Sequence, residues 1–275
     1  MIDLHTHTNA SDGACRPAEL VARAARAGMT VLAVTDHDTG AALARAARCA
    51  RRAGLAFVPG IEITAVWQGS DVHLLAYFID PSSPGIEAFL RRQRADRERR
   101  ARLIGERLAS LGMPIDIEQA IVSARPTTIS RPIIAQELVR AGHAPSVRAA
   151  FDRYLAEGQP AFVPRLGATP EDVVALVNAA GGVVSMAHPG VTKKDEIIPG
   201  LAANGLTALE VFHSDHDADA VARYAALADR LGLAMTGGSD YHGTDDCDRE
   251  LGQAHLPVGH FREFCRRAGR LRPAS

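Results

Sequence analysis

Two histidines lie one residue apart near the start of the chain, in the stretch "DLHTHTNASDG" at residues 3–13. In an extended strand, side chains at positions i and i+2 project from the same face, so His5 and His7 can converge on one point. Two imidazoles that converge in this way can hold a metal ion. An isolated pair of this kind is also found on protein surfaces, so the metal hypothesis depends on ligands elsewhere in the chain.

Further imidazoles and carboxylates occur at the ends of later strand-like runs. They lie in the stretches "TDHDT", "GIEIT", "VHLLAYF", "MAHPG" and "GSDYH", and they are His37, Glu62, His73, His188, Asp240 and His242. The C-terminal strand ends of a barrel surround a single mouth, where functional side chains gather. We therefore expect one shared metal site that also includes Asp12. Imidazoles and carboxylates without a thiolate favour zinc, manganese or iron.

The elements that must position these side chains alternate between strand and helix patterns. Apolar runs such as "TVLAVTDHD" are separated by helical segments such as "PAELVARAARAGM", and this rhythm indicates parallel strands covered by helices. We count roughly seven such strands, which favours an α/β fold of the closed or nearly closed (β/α) barrel type. An open doubly wound sheet is the alternative.

The strand–helix rhythm stops at the turn-rich stretch "DPSSPG", residues 80–85, and returns near residue 161. The segment between is rich in helical patterns and poor in strands. We therefore predict a barrel formed by residues 1–80 and 161–275, which carries the metal site. Residues 81–160 are predicted to form a helical insertion that caps the mouth of the barrel and binds substrate.

The composition excludes several classes of function. The 31 Lys and Arg residues against 32 Asp and Glu residues give a net charge of −1, so double-stranded DNA is not an expected partner. No apolar run has the length of a membrane span, and no signal-peptide pattern is present at the N-terminus. Four cysteines without a paired framework are typical of reduced thiols, so we expect a cytoplasmic protein with no membrane partner.

The five motifs "DLHTHTNASDG", "TDHDT", "GIEIT", "MAHPG" and "GSDYH" together resemble the PHP (polymerase and histidinol phosphatase) superfamily of metal-dependent phosphoesterases. The resemblance implies a distorted (β/α)7 TIM-like barrel with two or three divalent metal ions, manganese first and zinc or iron as alternatives. Carried onto this sequence, it implies three ligand sets: His5, His7, Glu62 and Asp240; Glu62, His73 and His188; and Asp12, His37 and His242. Asp12 departs from the histidine of some relatives, and this difference concerns the third metal.

Within that superfamily, the stretches "SRPIIAQELV" and "FDRYLAEGQPAFVP" resemble the branch of 3′,5′-nucleoside bisphosphate phosphatases and short-RNA 5′ exonucleases. Hydrolysis of a phosphate ester needs an activated water and positive charge near the phosphoryl oxygens. We predict in-line attack by a metal-bridging hydroxide held by Glu62 and Asp240, with no covalent enzyme intermediate. In "EVFHSDH", His213 and His216 are the candidates for the general acid, and a solvated cluster at a helix start is the alternative.

Arginines of the predicted insertion are the candidates for substrate binding. When residues 86–111 are drawn as one helix, Arg97 and Arg100 fall on its apolar stripe. Burial of an unpaired charge is costly, so each needs an anion, which is either an Asp or Glu side chain or a substrate phosphate. Arg131 follows the predicted helix cap Ser130, where free backbone amides and a guanidinium suit a phosphate.

The function expected from these features is hydrolysis of the 3′ phosphate of small 3′,5′-bisphosphorylated nucleotides by a metal-dependent phosphoesterase. The first alternative is a 5′-to-3′ exoribonuclease on short 5′-phosphorylated RNA, and the second is a phosphatase similar to histidinol phosphatase. An amidohydrolase or deacetylase is a different class of enzyme with a similar barrel, and a noncatalytic binding module is the last alternative. The arginines disfavour the amidohydrolase, and the full ligand set disfavours the binding module.

Overall fold

Seven strands form one sheet in which each strand neighbours the next along the chain. The structure is a computed structural model that describes residues 1–124, 129–243 and 249–270. The strands are β1 (Ile2–Asp3), β2 (Val31–Val34), β3 (Ala56–Trp67), β4 (Ser70–Tyr77), β5 (Val183–Met186), β6 (Ala208–His213) and β7 (Ala234–Gly238). The first and last strands also meet, because the amides of Leu4 and Asp240 donate to the carbonyl oxygens of Gly237 (3.1 Å) and His5 (2.8 Å). The predicted α/β barrel is confirmed in this nearly closed form.

The strand β4 departs from the parallel arrangement that the strand–helix rhythm predicts. It runs antiparallel to both β3 and β5, while the other neighbouring pairs are parallel. A turn at Gln68 and Gly69, with φ of 48° and 82°, joins β3 directly to β4 without a helix. Because β4 runs back along β3, His73 near the start of β4 lies opposite Thr64, two residues beyond Glu62. The reversal therefore brings His73 close to Glu62.

Helices cover the outside of the barrel and form the inserted segment. Helices α1 and α2 follow β1 and β2, and their apolar residues, such as Leu20 and Ala46, are buried against the barrel wall. In chain order, the helices are α1 (Pro17–Arg26), α2 (Leu43–Arg52), α3 (Pro84–Ser110), α4 (Ile117–Ser123), α5 (Arg131–Arg140), α6 (Val147–Ala150), α7 (Pro170–Ala179), α8 (Pro189–Thr192), α9 (Ile198–Ala203), α10 (Ala218–Leu231) and α11 (Val258–Arg267).

Length alone would let α3 cross a bilayer, since it has 27 residues. Its sequence is rich in arginine, however, and no helix in the described part of the chain is both long enough and apolar enough to span a membrane.

The inserted segment has a hydrophobic core of its own. This core gathers buried residues between Ala101 and Val163, among them Ile104, Leu138 and Leu155. The first turns of α3 instead pack into the barrel core through Ile86 and Leu90. The two cores are separate clusters, and the change from one to the other lies within α3. The division at residues 80 and 161 stays a prediction.

A buried ion pair fastens the insertion to the barrel beside the mouth. Asp38, which follows β2, is fully buried and adopts a φ of 50°. Its carboxylate accepts from Arg97 Nε of α3 at 2.7 Å and lies 3.3 Å from Arg165 Nη1, just past the insertion. Arg97 also donates to Thr64 Oγ1 of β3 at 3.1 Å. The anion that the sequence requires for Arg97 is therefore an aspartate of the protein.

The fold predicts a large loss of stability in Asp38→Asn. The change leaves two buried guanidinium groups without their carboxylate, which typically costs about 3–5 kcal/mol in the free energy of unfolding. Burial raises the pKa of Asp38, but Arg97 and Arg165 outweigh it and hold that pKa below its usual value. The stabilisation is then present above the unfolded-state pKa of about 4 and is lost as the pH falls through the folded-state value.

Urea unfolding at pH 7 and at lower pH measures this effect. The matched control is Glu87→Gln, which removes an exposed carboxylate 2.9 Å from Arg91 on the same helix and should change stability by less than about 0.5 kcal/mol. An Asp38→Asn variant as stable as the control at pH 7 would show that this pair does not fasten the insertion.

Candidate metal centre

The side chain of Glu62, on β3, is the point where the predicted ligands meet. It is buried, and its two carboxylate oxygens face different groups of histidines. Oε2 lies 3.3 Å from His5 Nε2 and 3.2 Å from His7 Nε2. Oε1 lies 2.9 Å from His73 Nδ1 and 3.2 Å from His188 Nε2. One carboxylate thus stands between two sets of imidazoles, as a bridging ligand must.

Local backbone geometry accounts for the convergence of these side chains. His5 and His7 extend β1 and alternate with Thr6, whose hydroxyl donates to Ala33 O on the other side at 2.6 Å. The residues at two other ligand positions have unusual backbone conformations: φ is 25° at His188 and 52° at Asp240. Positive φ is uncommon in residues other than glycine and is concentrated at functional sites, so these two ends of strands are shaped to aim a side chain into the mouth.

The first predicted ligand set is assembled in the structure. His5, His7, Glu62 and Asp240 each offer a ligand atom within 4.8 Å of the others, and all four residues are buried. Asp240 Oδ1 lies 3.3 Å from His5 Nε2 and 3.1 Å from His7 Nε2.

The third predicted set is assembled around Asp12. The Asp12 carboxylate lies 3.6 Å from His37 Nε2 and 3.4 Å from His242 Nε2, and His7 Nδ1 is 3.7 Å away. The second set is less compact: His73 and His188 both contact Glu62 Oε1, but the group that shares one 4.8 Å neighbourhood is His37, Glu62 and His73.

The hydrogen bonding of the ligand atoms tests whether the site fits a metal. Several of these atoms are buried without any hydrogen-bond partner: His5 Nε2, His7 Nε2, Asp12 Oδ1, Glu62 Oε2 and His73 Nδ1. Buried polar atoms in proteins are nearly always satisfied, because an unsatisfied one costs about 1–3 kcal/mol. A group of imidazole and carboxylate atoms that point at one another without hydrogen bonds is what divalent cations with nitrogen and oxygen ligands require.

The electrostatics of the centre also favour a cation. Burial raises the pKa of the Glu62 carboxyl, but the surrounding histidines outweigh it and hold that pKa well below its usual range. Asp240 shows the same balance. At His37, burial lowers the pKa to about 3, although Glu62 and Asp12 oppose the shift. Burial also lowers the pKa of His7, but the adjacent carboxylates of Asp240 and Glu62 raise it to about 10. A proton and a metal ion therefore compete for the space between these groups.

Glu210 is a functional residue that sequence reasoning missed. It lies on β6, is fully buried, and faces His5 Nδ1 at 3.0 Å while accepting from the amide of His188 at 2.7 Å. The bond to Nδ1 places the other ring nitrogen of His5 toward Glu62 as a lone-pair donor. A signal for Glu210 exists in the sequence, since it is the one charged residue within the apolar strand "ALEVF".

The two candidate general acids have different surroundings. The ring nitrogens of His216 are both engaged by backbone: Nδ1 faces Val211 O at 2.9 Å, and Nε2 accepts from the amide of Gly190 at 3.1 Å. These contacts disfavour His216 as a proton donor, and its role also stays a prediction. His213 Nδ1 accepts from the amide of Asp215 at 3.1 Å, which places the proton on Nε2, 3.6 Å from Asp240 Oδ2. The role of His213 stays a prediction.

A cavity of about 190 Å³ adjoins the metal ligands and is lined by arginines of the insertion. We call it the arginine compartment, and its charged lining consists of Asp12, Asp71, Arg97, Arg100, Arg131 and Arg165. All three predicted substrate arginines are brought together here, and Arg165 joins them. Asp71 lies 3.6 Å from Arg100 Nη1 and 3.2 Å from Arg131 Nη2, so the protein supplies part of the negative charge that these arginines require.

The arginine compartment retains excess positive charge and unused donors. Its four guanidinium groups pair with two carboxylates, Asp38 and Asp71. Burial, with the neighbouring arginines, lowers the pKa of Arg100 and of Arg165 to about 10, against a strong tendency of guanidinium to stay protonated. The Nε of Arg165 and the hydroxyl of Ser130 are buried without hydrogen-bond partners. Ser130 directly precedes helix α5 and does not cap it through its side chain.

Several known proteins are similar to this chain. Residues 3–108 match the PHP domain. A 3′,5′-nucleoside bisphosphate phosphatase of Chromobacterium violaceum is 37% identical, over 91% of this chain and 90% of its own length. The 5′-3′ exoribonuclease Rnm of Escherichia coli is 36% identical, over 87% and 84%. A structure from Bifidobacterium adolescentis assigned as a metal-dependent phosphoesterase superposes with a TM-score of 0.88 and 34% identity, over 97% and 96% of the two chains.

The position of Glu210 predicts that Glu210→Gln weakens metal binding. Loss of the charge removes the group that orients His5 and raises the basicity of its ring, and such changes typically lower metal affinity 10- to 100-fold. Calorimetric titration of metal-free protein with Mn²⁺ measures the effect. Glu196→Gln, at an exposed carboxylate, is the control and should bind as the wild type does. Unchanged affinity in a folded Glu210→Gln protein would remove Glu210 from the centre.

Proposed function

We propose, on the premise that the chain belongs to the PHP domain family, that it is a metal-dependent phosphatase of 3′,5′-bisphosphorylated nucleotides. The observation that carries the proposal is the position of the Glu62 ligand centre next to the arginine compartment, with His73, Asp71 and Asp12 at their junction. A centre for cleaving one phosphate and a pocket for holding another suit a substrate with two phosphates. The phosphatase of Chromobacterium violaceum supports the same substrate class.

The ligand sets would hold the metals as the family resemblance implies: His5, His7, Glu62 and Asp240; Glu62, His73 and His188; and Asp12, His37 and His242. When bound, divalent ions lower the pKa of a coordinated water and neutralise charge on phosphoryl oxygens. We propose manganese as the native metal, with zinc and iron as alternatives that metal analysis of the purified protein distinguishes.

The arginine compartment would bind the phosphate that is not cleaved. Its excess positive charge suits a phosphate, and the Arg165 Nε–H and the Ser130 hydroxyl, which have no hydrogen-bond partner, are donors for phosphate oxygens. The first amides of helix α5, which begins at Arg131, add backbone donors and a favourable dipole. Arg100 and Arg131 fill this role better than Arg97, whose guanidinium is committed to Asp38.

In the reaction we propose, water attacks the 3′ phosphorus, an O–P bond forms and the bond from phosphorus to O3′ breaks. The products are a nucleoside 5′-monophosphate and inorganic phosphate. His213 Nε2–H, which has no hydrogen-bond partner in the structure, would donate a hydrogen bond to O3′ as it leaves, and the proton that O3′ takes up would come from the attacking water. His213 is buried, so the substrate must bring O3′ to it.

A 5′-to-3′ exoribonuclease is the second candidate, and the similarity to Rnm of Escherichia coli favours it. The same bond is broken in both reactions, because RNA differs from the bisphosphonucleotide only in a further nucleotide on the scissile phosphate. A histidinol-phosphatase-like activity or an amidohydrolase leaves the arginine compartment without a role. We also propose a cytoplasmic location, since Cys15, Cys49 and Cys265 are free thiols; Cys247 lies outside the described residues.

The proposal predicts that Arg100→Ala and Arg131→Ala act only on substrates with a second phosphate. Each change should lower kcat/KM for a 3′,5′-bisphosphonucleotide about 10- to 1000-fold, because it removes a charge-assisted contact in a desolvated pocket. An aryl phosphate has no second phosphate and should lose little. Phosphate release from both substrates, with histidinol phosphate and an amide substrate in the same panel, measures this.

The control is Arg102→Ala. This change removes an exposed guanidinium on the outer face of α3 that is bound to Glu118 of α4, and it should leave kcat/KM unchanged for both substrates. Equal losses on the two phosphate esters would mean that Arg100 and Arg131 support the fold or the scissile phosphate. A preference for histidinol phosphate, or cleavage of the amide alone, would overturn the substrate class.

A further inference from the structure

A second cavity, of about 530 Å³, opens beside the candidate ligands His73 and His188. It shares Asp71, His73 and Arg131 with the arginine compartment and also reaches His188. We call this cavity the outer groove. The two cavities therefore adjoin at His73, which with His188 contacts Glu62 Oε1. The arginine compartment is the smaller of the two cavities, and the volume of the outer groove lies in the range of sites for whole small ligands.

The outer groove contains Lys193 and Lys194, which are the only two lysines in the chain. The other 29 of its 31 basic residues are arginines. A lysine ammonium is a compact charge on a flexible stem, which suits a phosphate whose position varies. Lys193 is held with a φ of 54°, and its amide donates to Pro189 O at 2.8 Å. A positive φ at a residue other than glycine is a local cost, and such residues cluster at binding sites.

Aromatic and acidic groups complete the lining. The Phe162 ring lies in the outer groove, with Arg100 5.7 Å and Arg131 5.9 Å from its centroid. Lys194 Nζ lies 5.5 Å from the centroid of Trp67, which orients its stem at the rim. Two carboxylates oppose the basic groups: Asp71, which already pairs with the arginines, and Glu157. Three cations against these two anions leave a net positive groove.

We infer that the outer groove is a binding site for the nucleotides that follow the scissile phosphate in a short RNA, with Lys193 and Lys194 contacting the next phosphate along the chain. The inference rests on the proposed function, since it takes the scissile phosphate to lie at the Glu62 centre. With the 5′ phosphate in the arginine compartment, the remaining ester oxygen of the scissile phosphate leads away from that compartment, and the outer groove adjoins it there.

The test compares three substrates that differ by single units: a 3′,5′-bisphosphonucleotide, a 5′-phosphorylated dinucleotide and a 5′-phosphorylated trinucleotide. Among them, the trinucleotide alone has a phosphodiester beyond the scissile phosphate. The double variant Lys193→Ala/Lys194→Ala should therefore lower kcat/KM about 5- to 30-fold more for the trinucleotide than for the dinucleotide. For the wild type, the trinucleotide rate should also fall with added salt more steeply than the dinucleotide rate.

The matched control is Arg51→Ala/Arg52→Ala, which removes two adjacent exposed charges at the end of α2 and should leave the trinucleotide-to-dinucleotide ratio unchanged. A lysine variant with equal losses on all three substrates, or with an unchanged ratio, would overturn the assignment. An effect limited to inhibition by inorganic phosphate would make the outer groove a product site and would also overturn it. If the wild type cleaves none of the three substrates, the proposed function itself fails.

Discussion

Burial of the Glu62 carboxylate is the constraint on which the rest of the site depends. The negative charge of a carboxylate that is removed from water must be balanced by a nearby positive charge or by hydrogen bonds. The groups within reach of Glu62 are imidazole nitrogens, which make few hydrogen bonds to it. Two oxygens that face two sets of histidines make a single glutamate the link between neighbouring cation positions. The orientation of His5 by Glu210 and the strained backbone at His188 and Asp240 serve that arrangement.

The barrel supplies this geometry with one reversed strand. A strand that ran parallel to its neighbours would place His73 at the opposite end of the barrel from Glu62, whereas the tight turn at Gln68 and Gly69 returns the chain antiparallel. The turn also leads directly to Asp71, which pairs with arginines of the insertion. The same hairpin thus contributes a ligand to the metal centre and an anion to the arginine compartment.

Sequence patterns predict most of the candidate ligands because they lie just after strands, where period and spacing determine position, although Glu62 lies within β3 and His73 near the start of β4. His5 and His7 share a face by strand alternation, and Arg97 and Arg100 turn inward by helical period. The partners of these arginines could not be predicted, because Asp38 and Asp71 reach them only through the tertiary fold, 59 and 29 residues away in sequence. The contact of Glu210 with His5 and the backbone contacts of the His216 ring could not be predicted either, because both depend on the tertiary fold.

Anomalous diffraction from crystals grown with Mn²⁺ would test the role of Glu62 most directly, since it locates each ion without relying on turnover. If Glu62 bridges two metal ions, one ion should lie on its Oε2 side, within ligand distance of His5, His7 and Asp240. A second ion should lie on its Oε1 side, within ligand distance of His73 and His188. Anomalous peaks found only away from Glu62, or a single ion that leaves one carboxylate oxygen uncoordinated at saturating Mn²⁺, would contradict it.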